Sequence, residues 1–357
     1  MKKSINTRAT TLSVIGLDLA DDKSDWVGLD EAGRIVRRER VRTTETELRR
    51  VFGAVAATKI AIEVGTHSAW VKRVLSSVGH DVVVANARRV ALIGSNKRKN
   101  NRVDAELLAR LARADKQLLF PIEHRPLQTQ ADLAVLRSRD LLVRCRTQLI
   151  NHVRGVCKSF GVRLPKCSAA AFVVRASGRV PTELHDAMAL ILDQVAELTA
   201  RIRTFDKSVS SMMKRHAGAR IVAQISGVGE LTALAYVLTV EDPHRIARSR
   251  SAGAYFGLVP GSNDSGEKHE PRRITKEGDR FCRRLLVSAA QYILGPFGID
   301  SDLRRHGQAI ATRGGKNAKK RAVVAVARKL AVLMHRLWIN NDHYVPLFNA
   351  AKMTAAA

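Results

Sequence analysis

The chain predicts an α/β domain followed by a largely helical half, and three observations carry that reading. The first 85 residues hold three strand-like runs and then an alternation of helix and strand, the pattern of a mixed sheet with helices on its faces. From Val103 onward, apolar residues recur mostly at helical spacing. The charge is one-sided: 61 Lys and Arg stand against 33 Asp and Glu, a formal net charge of +28.

The elements follow in order. Leu12-Ser-Val-Ile-Gly-Leu-Asp-Leu-Ala20 is a short apolar run that opens the sheet. Asp25-Trp-Val-Gly-Leu-Asp30 and Ile35 to Val41 are alternating runs joined by Glu31-Ala-Gly-Arg34, which reads as a hairpin. Thr44 and Glu47 have the spacing of a capping box, opening a helix through Leu48, Val51, Phe52 and Val55. Lys59-Ile-Ala-Ile-Glu-Val-Gly65 is a buried strand, a helix follows with Trp70, Val71, Val74 and Leu75, and Asp81-Val-Val-Val-Ala85 is another strand. A basic loop occupies 88–103, and helices are expected over 103–114 and from Thr129 to Phe160.

Leu184, Met188, Ile191, Val195, Leu198, Ile202, Phe205, Val209 and Met212 recur in steps of four and three. This heptad pattern predicts a coiled coil, with pairing between chains as the expectation. Ile225-Ser-Gly-Val-Gly229 has the form of a helix-hairpin-helix turn, in which Gly227 and Gly229 let backbone N–H groups approach a phosphate. Helices are then expected over 280–294 and 318–338. The implied organisation is a first domain over 11–165, a coiled-coil dimerisation region over 166–216 and a C-terminal domain over 217–347. Residues 1–10 and 348–357 are expected to be disordered.

The basic residues cluster at Arg88–Arg89, Lys97–Lys99, Arg245–Arg250, Arg272–Arg284 and Lys316–Arg321. Clustering on this scale points to a polyanionic partner, most simply nucleic acid. The candidate contacts are Lys97, Arg98, Lys99, Arg102, Gly227, Gly229, Lys268, Arg272, Arg273, Lys276, Lys316, Lys319 and Lys320. Aromatic residues make up 4% of the chain, so stacking platforms for bases are scarce and Lys and Arg contacts to phosphates should dominate. Four cysteines show no C-x-x-C pair, and His152, Cys157 and Cys167 give only a loose zinc spacing. No apolar run approaches the length of a membrane span and no signal peptide is evident. A cytoplasmic, nucleoid-associated bacterial protein is expected.

Asp18 and Glu63 lie near the ends of apolar strand runs, where an unpaired carboxylate is expensive to bury. On neighbouring strands the two make sense as ligands of a shared divalent cation. Asp104 opens the helix after the basic loop. Three carboxylates from strand, strand and helix start form the metal-site arrangement of the RNase H-like nuclease fold. Their hard oxygens would select Mg2+ or Mn2+. Separately, Ser262 and Ser265 lie in a Gly- and Asn-rich loop beside Lys268, His269, Arg272 and Arg273. That is a nucleophile-facing-phosphate pattern, or simply a solvated surface hairpin.

Gly16-Leu-Asp-Leu-Ala20, Ala61-Ile-Glu-Val-Gly65 and Lys99-Asn-Asn-Arg-Val-Asp-Ala105 resemble the acidic motifs of the DEDD transposases, the IS110 insertion-sequence family and the related Piv-type invertases. Ile225-Ser-Gly-Val-Gly229, Tyr255-Phe-Gly-Leu-Val-Pro260, Ser265-Gly266 and Arg273-Ile-Thr-Lys-Glu-Gly-Asp279 resemble that family's C-terminal domain. The likeness spans about residues 12–345 in the same order. It implies a RuvC-like RNase H-fold domain, a coiled coil and a helical transposase domain. It also implies dimers that pair into tetramers, guided to target and donor DNA by a structured non-coding RNA from the element itself. It further implies a serine nucleophile, which falls on Ser265, acting with Asp18, Glu63, Asp104 and their metal through a phosphoserine link to DNA. One departure stands out: Asn101 occupies a position where the family usually has Asp. Asn101 offers a carbonyl oxygen but no charge.

Three alternatives stay open: a metal-dependent junction nuclease using water, a nucleic-acid-binding protein with a weakened site, and an actin-like ATPase suggested by Gly16–Ala20. A second glycine-rich phosphate loop, which the last would need, is not evident.

Overall fold

The computed structural model describes residues 12–86, 89–90, 101–261, 264–265, 268–269 and 272–349. The chain forms two compact units, residues 1–124 and 125–357.

The first unit is a five-stranded mixed sheet. Its strands are β1 (Val14–Asp18), β2 (Lys23–Leu29), β3 (Ile35–Arg42), β4 (Lys59–Glu63) and β5 (Asp81–Ala85), in the spatial order β3-β2-β1-β4-β5. β1, β2 and β3 form an antiparallel meander, while β4 lies parallel to β1 and β5 parallel to β4. Because side chains alternate across a strand, β1, β2, β4 and β5 each feed two cores. Ile15, Leu17, Trp26, Ile60, Ile62, Val82 and Val84 pack with α1 (Glu45–Gly53) and α2 (Ser68–Ser77). Val14, Val27, Leu29, Ala61, Val83 and Ala85 pack on the other face against α3 (Asn101–Ala114). Gly16 belongs to that second face. A Cβ built there would lie 2.0 Å from Ala105 O and 2.6 Å from Ala109 N, so the missing side chain is what lets α3 lie directly on β1.

The capping box at α1 forms in half. Thr44 Oγ1 accepts from Glu47 N at 3.4 Å, while the Glu47 carboxylate turns to Arg50, which holds it below its usual range.

The second unit begins with a helical hairpin. α4 (Leu127–Ser159) and α6 (His185–Arg215), with the short α5 (Phe172–Ala176) between them, run antiparallel. Leu133 and Leu136 share a core with Val209 and Met212, whereas Ile150 and Val153 share one with Met188, Leu192 and Val195. Arg139–Asp206 (2.6 Å) and Arg146–Thr199 (3.2 Å) stitch the pair.

The stripe expected to pair between chains has a covering surface within this chain. The heptad seam is real, but it is covered by α4 of the same chain, and Leu184, Met188, Val195, Leu198, Ile202, Val209 and Met212 are all buried within it. A heptad shows that a stripe is buried without saying by what. By packing, α4 belongs to the second unit and the sheet-bearing unit ends at 124.

The rest of the unit surrounds α8 (Glu230–Val240), in which every residue from Thr232 to Val240 is buried. A helix apolar all round belongs at the centre of a bundle. It is enclosed by α4, α6, α7 (Ala217–Val222) and α10 (Arg280–Leu294), and Tyr236 reaches α12 (Ala318–Asn340). Tyr236 donates its buried hydroxyl to Ala331 O at 2.7 Å. The short α9 (Ala252–Tyr255) and α11 (Asp302–Thr312) complete the order. No helix among the described residues is long and apolar enough to cross a membrane.

Candidate active site

The acidic edge is built by strand register. β1 and β4 pair in parallel up to Leu17↔Ile62, so the next residues, Asp18 and Glu63, sit side by side at the same end of the sheet and on the α3 face. Asp104 lies in the first turn of α3 on that face, and Asn101 is the first residue of α3. Asp18, Glu63 and Asp104 are all partly exposed, as a site reached from solvent requires. The structure thus brings these three, and the backbone of Asn101, to one edge. Glu106 turns away to Arg38 and Arg110.

Two further residues join this edge. Asp25 pairs directly with Asp18 across β1 and β2, is 3% exposed, and bonds Arg40 at 3.0 Å. An acid inside the apolar run Asp25-Trp-Val-Gly-Leu is the signal that singled out Asp18 and Glu63, so Asp25 was legible by the same rule. His67, just beyond Glu63, lies 2.8 Å from Asp21, just beyond Asp18. Trp70 Nε1–H donates to His67 Nδ1 at 3.1 Å, which leaves the proton on Nε2 facing Asp21.

The oxygen-only donor set fits a hard divalent cation. Among the described residues, no three His, Cys, Asp or Glu side chains gather closely enough to hold one. The three carboxylates therefore share an edge without closing a coordination shell.

Ser265 lies in the second unit, on a hairpin whose stem joins two of the sequence motifs. Thr275 N bonds Val259 O (2.9 Å), Lys276 N bonds Gly257 O (3.1 Å), Gly261 N bonds Arg273 O (3.0 Å), and Pro260 bridges Ile274. Gly257 (φ +63°) and Gly278 (φ +74°) allow this closeness, since a Cβ on either would meet backbone atoms at 2.3 Å and 2.1 Å respectively. Beyond the stem, β6 (Asp264–Ser265) pairs with β7 (Lys268–His269), placing Ser265 opposite Lys268. Asp279 ends the stem by capping α10: its Oδ1 accepts from Cys282 N at 2.7 Å and its Oδ2 takes Arg137 at 2.8 Å.

Of the expected phosphate contacts, Arg272, Arg273, Lys276, Lys316, Lys319 and Lys320 are exposed. Arg102 and Lys268 are located by backbone alone; Lys97, Arg98, Lys99 and Ser262 fall outside the described residues. The helix-hairpin-helix turn forms between α7 and α8. Gly227 (φ +92°) is needed there for its conformation and for packing against Tyr292 and Ile293, while Gly229 caps α8 with open space around it. Cys157 and Cys282 are buried thiols, and burial pushes both up from their usual range, which makes them poor nucleophiles.

Comparison with known proteins gives this arrangement a class. Residues 15–161 match the family model of the DEDD-type IS110 transposases, described as "Transposase", and residues 219–298 match "Transposase IS116/IS110/IS902 family". The transposase for insertion sequence element IS1111A of Coxiella burnetii is 27% identical over 347 residues, covering 93% of this chain and 91% of that protein. A protein of Pseudomonas aeruginosa named "Probable family 20 transposase" is 26% identical, covering 94% of this chain and 99% of its own length. The transposase for IS1328 of Yersinia enterocolitica is 26% identical over 78% of this chain and 83% of its own length. Fold, acidic edge and relatives define an enzyme of the transposase class, acting on DNA. Within that class, the chain belongs to the IS110 family of insertion-sequence transposases.

Proposed function

We propose that this transposase cuts and rejoins DNA through a phosphoserine intermediate, guided by a structured RNA from its own element and working as dimers that pair into tetramers. The observation that carries the catalytic part is the shared edge of Asp18 and Glu63, set side by side by strand register with Asp104 above them. Asp18, Glu63 and Asp104, with the Asn101 carbonyl, would hold Mg2+ or Mn2+. Such an ion supplies Lewis-acid stabilisation of a phosphodiester.

The chain's own residues do the rest. Ser265 Oγ attacks phosphorus, a new P–O bond forms, and the leaving deoxyribose oxygen departs as a hydroxyl after taking up a proton. A hydroxyl of the incoming DNA end then attacks the phosphoserine, releasing Ser265 and restoring a phosphodiester. Lys268, Arg272 and Arg273 offset negative charge on the reacting phosphate. His67 hydrogen-bonds Asp21 at the rim of the acidic edge and positions the loop after Glu63. The RNA-guided part draws support from the net charge of +28 combined with few aromatics for base reading.

Two measurements test the reading. Glu63→Gln should abolish strand cleavage while leaving DNA affinity within about threefold, because one polar side chain at an exposed edge contributes little to a phosphate-dominated interface; normal cleavage by this variant overturns the acidic-edge assignment. Sequencing of RNA that co-purifies with the protein should return a single structured species from next to the reading frame, whereas random cellular RNA contradicts the guide.

A further inference from the structure

The outer edge of the first unit carries a cationic pocket that none of the steps above uses. β3 reads Ile-Val-Arg-Arg-Glu-Arg-Val-Arg and is exposed along nearly its whole length. Its alternation puts Arg38, Arg40 and Arg42 on the α3 face, the face of Asp18 and Glu63. Arg38 is tied to Glu106 and Arg40 to Asp25. Lys23 and Arg42 are different. They are direct register partners at the end of the β2–β3 pair, and like charges opposite one another destabilise a sheet. Among the described residues neither forms a close ion pair; the neighbouring Glu47 carboxylate is hydrogen-bonded by Arg50 at 2.7 Å and feels Arg42 only through its charge. A cavity of about 520 Å³ opens at this point, lined by Lys23, Arg40, Val41, Arg42, Thr44 and Glu47.

Around this open cavity three cations, Lys23, Arg40 and Arg42, stand against one carboxylate, Glu47, a balance that favours an anion. Among the described residues no aromatic side chain lines it, so it suits a phosphate rather than a base. Its position is also telling. Asp18, Asp25 and Arg40 are register neighbours on β1, β2 and β3, a row about 10 Å across. Lys23 and Arg42 lie two residues further toward the open end of the sheet, about 7 Å along the strands. The Arg42 backbone is therefore roughly 12 Å from that of Asp18, at the same end of the sheet and within reach of a single DNA strand crossing both. Lys23, Arg40 and Arg42 lie on the Asp18 face, and Val41, Thr44 and Glu47 close the pocket from the α1 side.

We infer that Lys23 and Arg42, with Arg40 behind them, grip a backbone phosphate of the DNA strand being cut, close to the scissile bond, and so set where that strand lies over the acidic edge. The inference rests on the reading of Asp18 and Glu63 as the catalytic edge. It also gives a function to the like-charged pair on this exposed strand pair.

The test uses the full-length protein with Asp18→Asn to prevent cleavage, and a labelled duplex carrying an end of the element. Fluorescence anisotropy between 50 and 200 mM KCl should show that Lys23→Gln/Arg42→Gln raises Kd about tenfold and lowers the slope of log K against log salt by about 1–2. Arg73→Gln, which removes an exposed charge from α2 on the opposite sheet face, should change neither. Relief of the like-charge pair should hold or slightly raise the thermal midpoint, so misfolding would be visible as its fall. In the otherwise unchanged enzyme, Lys23→Gln/Arg42→Gln should raise the DNA concentration needed for half-maximal cleavage and leave the saturated rate within about twofold of the parent. An unchanged Kd and slope overturns the pocket, as does a loss confined to RNA of the same length. Cleavage by Asp18→Asn itself would instead overturn the acidic-edge reading, leaving the binding result to stand separately.

Discussion

Gly16 is the residue on which the acidic edge mechanically depends, and Gly16→Ala probes it. The added Cβ would lie 2.0 Å from Ala105 O and 2.6 Å from Ala109 N. Both are backbone atoms of α3, so no side-chain rotation relieves the clash; the helix must move by more than 1 Å, which carries Asp104 with it. Overpacking of this kind costs about 3 kcal/mol. With a urea m-value on the order of 1–3 kcal/mol/M, the unfolding midpoint of the first unit should fall by about 1–3 M. Trp26 and Trp70 report on that unit, and Trp338 on the other, so tryptophan fluorescence in a Trp338→Phe background follows the sheet-bearing unit alone. Gly65→Ala is the control, because a Cβ there meets nothing within 4 Å and should shift stability by no more than about 0.5 kcal/mol. Cleavage should drop with Gly16→Ala even at urea concentrations where the protein remains folded. Equal stability and activity for the two variants would refute the claim that α3 is seated on β1 through Gly16.

Other outcomes follow from the second unit. Ile202→Ala removes a side chain buried between α6 and α4 and should cost about 2–4 kcal/mol with no change of oligomeric state by light scattering. Leu190→Ala, on the exposed side at 76%, should be near neutral; a change of assembly state with Ile202→Ala and no loss of stability would restore the interchain coiled coil. Asp132 is buried, which alone would raise its pKa, but His216, Gln128 and Arg215 outweigh that and hold it below its ordinary value. Its ionised form thus stabilises the fold above the unfolded value of 3.8, and the benefit is lost as pH falls through the lower folded value; Asp132→Asn should lower stability by about 2 kcal/mol at pH 7, read by urea titration. His306 is held below its usual pKa by burial, with Lys329 and Arg313 adding repulsion. It should weaken the fold as pH drops below about 6.5, and His306→Gln should flatten that part of the stability profile.

Much of the first unit was legible from residue pattern. Alternation in β2, apolar runs in β4 and β5, and acids at the ends of β1 and β4 each follow from a strand with two buried faces, and register then forces Asp18 beside Glu63. The helices at 101–114, 127–159 and 280–294 fall within a few residues of their periodicity because an amphipathic stripe marks its own length. What periodicity omits is the identity of the covering surface: within this chain the α6 stripe packs against α4. Asp25 carries the same sequence signal as Asp18 and Glu63, an acid in an apolar strand run, and the strand register adds its pairing with Asp18. The hairpin stem that carries Ser265 depends on contacts between Gly257 and Glu277 and between Tyr255 and Gly278, which no local pattern encodes.

The central claim, that Ser265 is the nucleophile, has a direct measurement. The full-length protein, with its co-purified RNA and Mg2+, is incubated with a labelled DNA end and denatured in SDS. The parent protein should retain label as a covalent adduct, with mass spectrometry locating the linkage at Ser265. Ser265→Ala should bind the DNA and retain none, while Ser262→Ala should behave like the parent. An adduct that survives Ser265→Ala, or strand cleavage without any adduct in the parent, would contradict the mechanism.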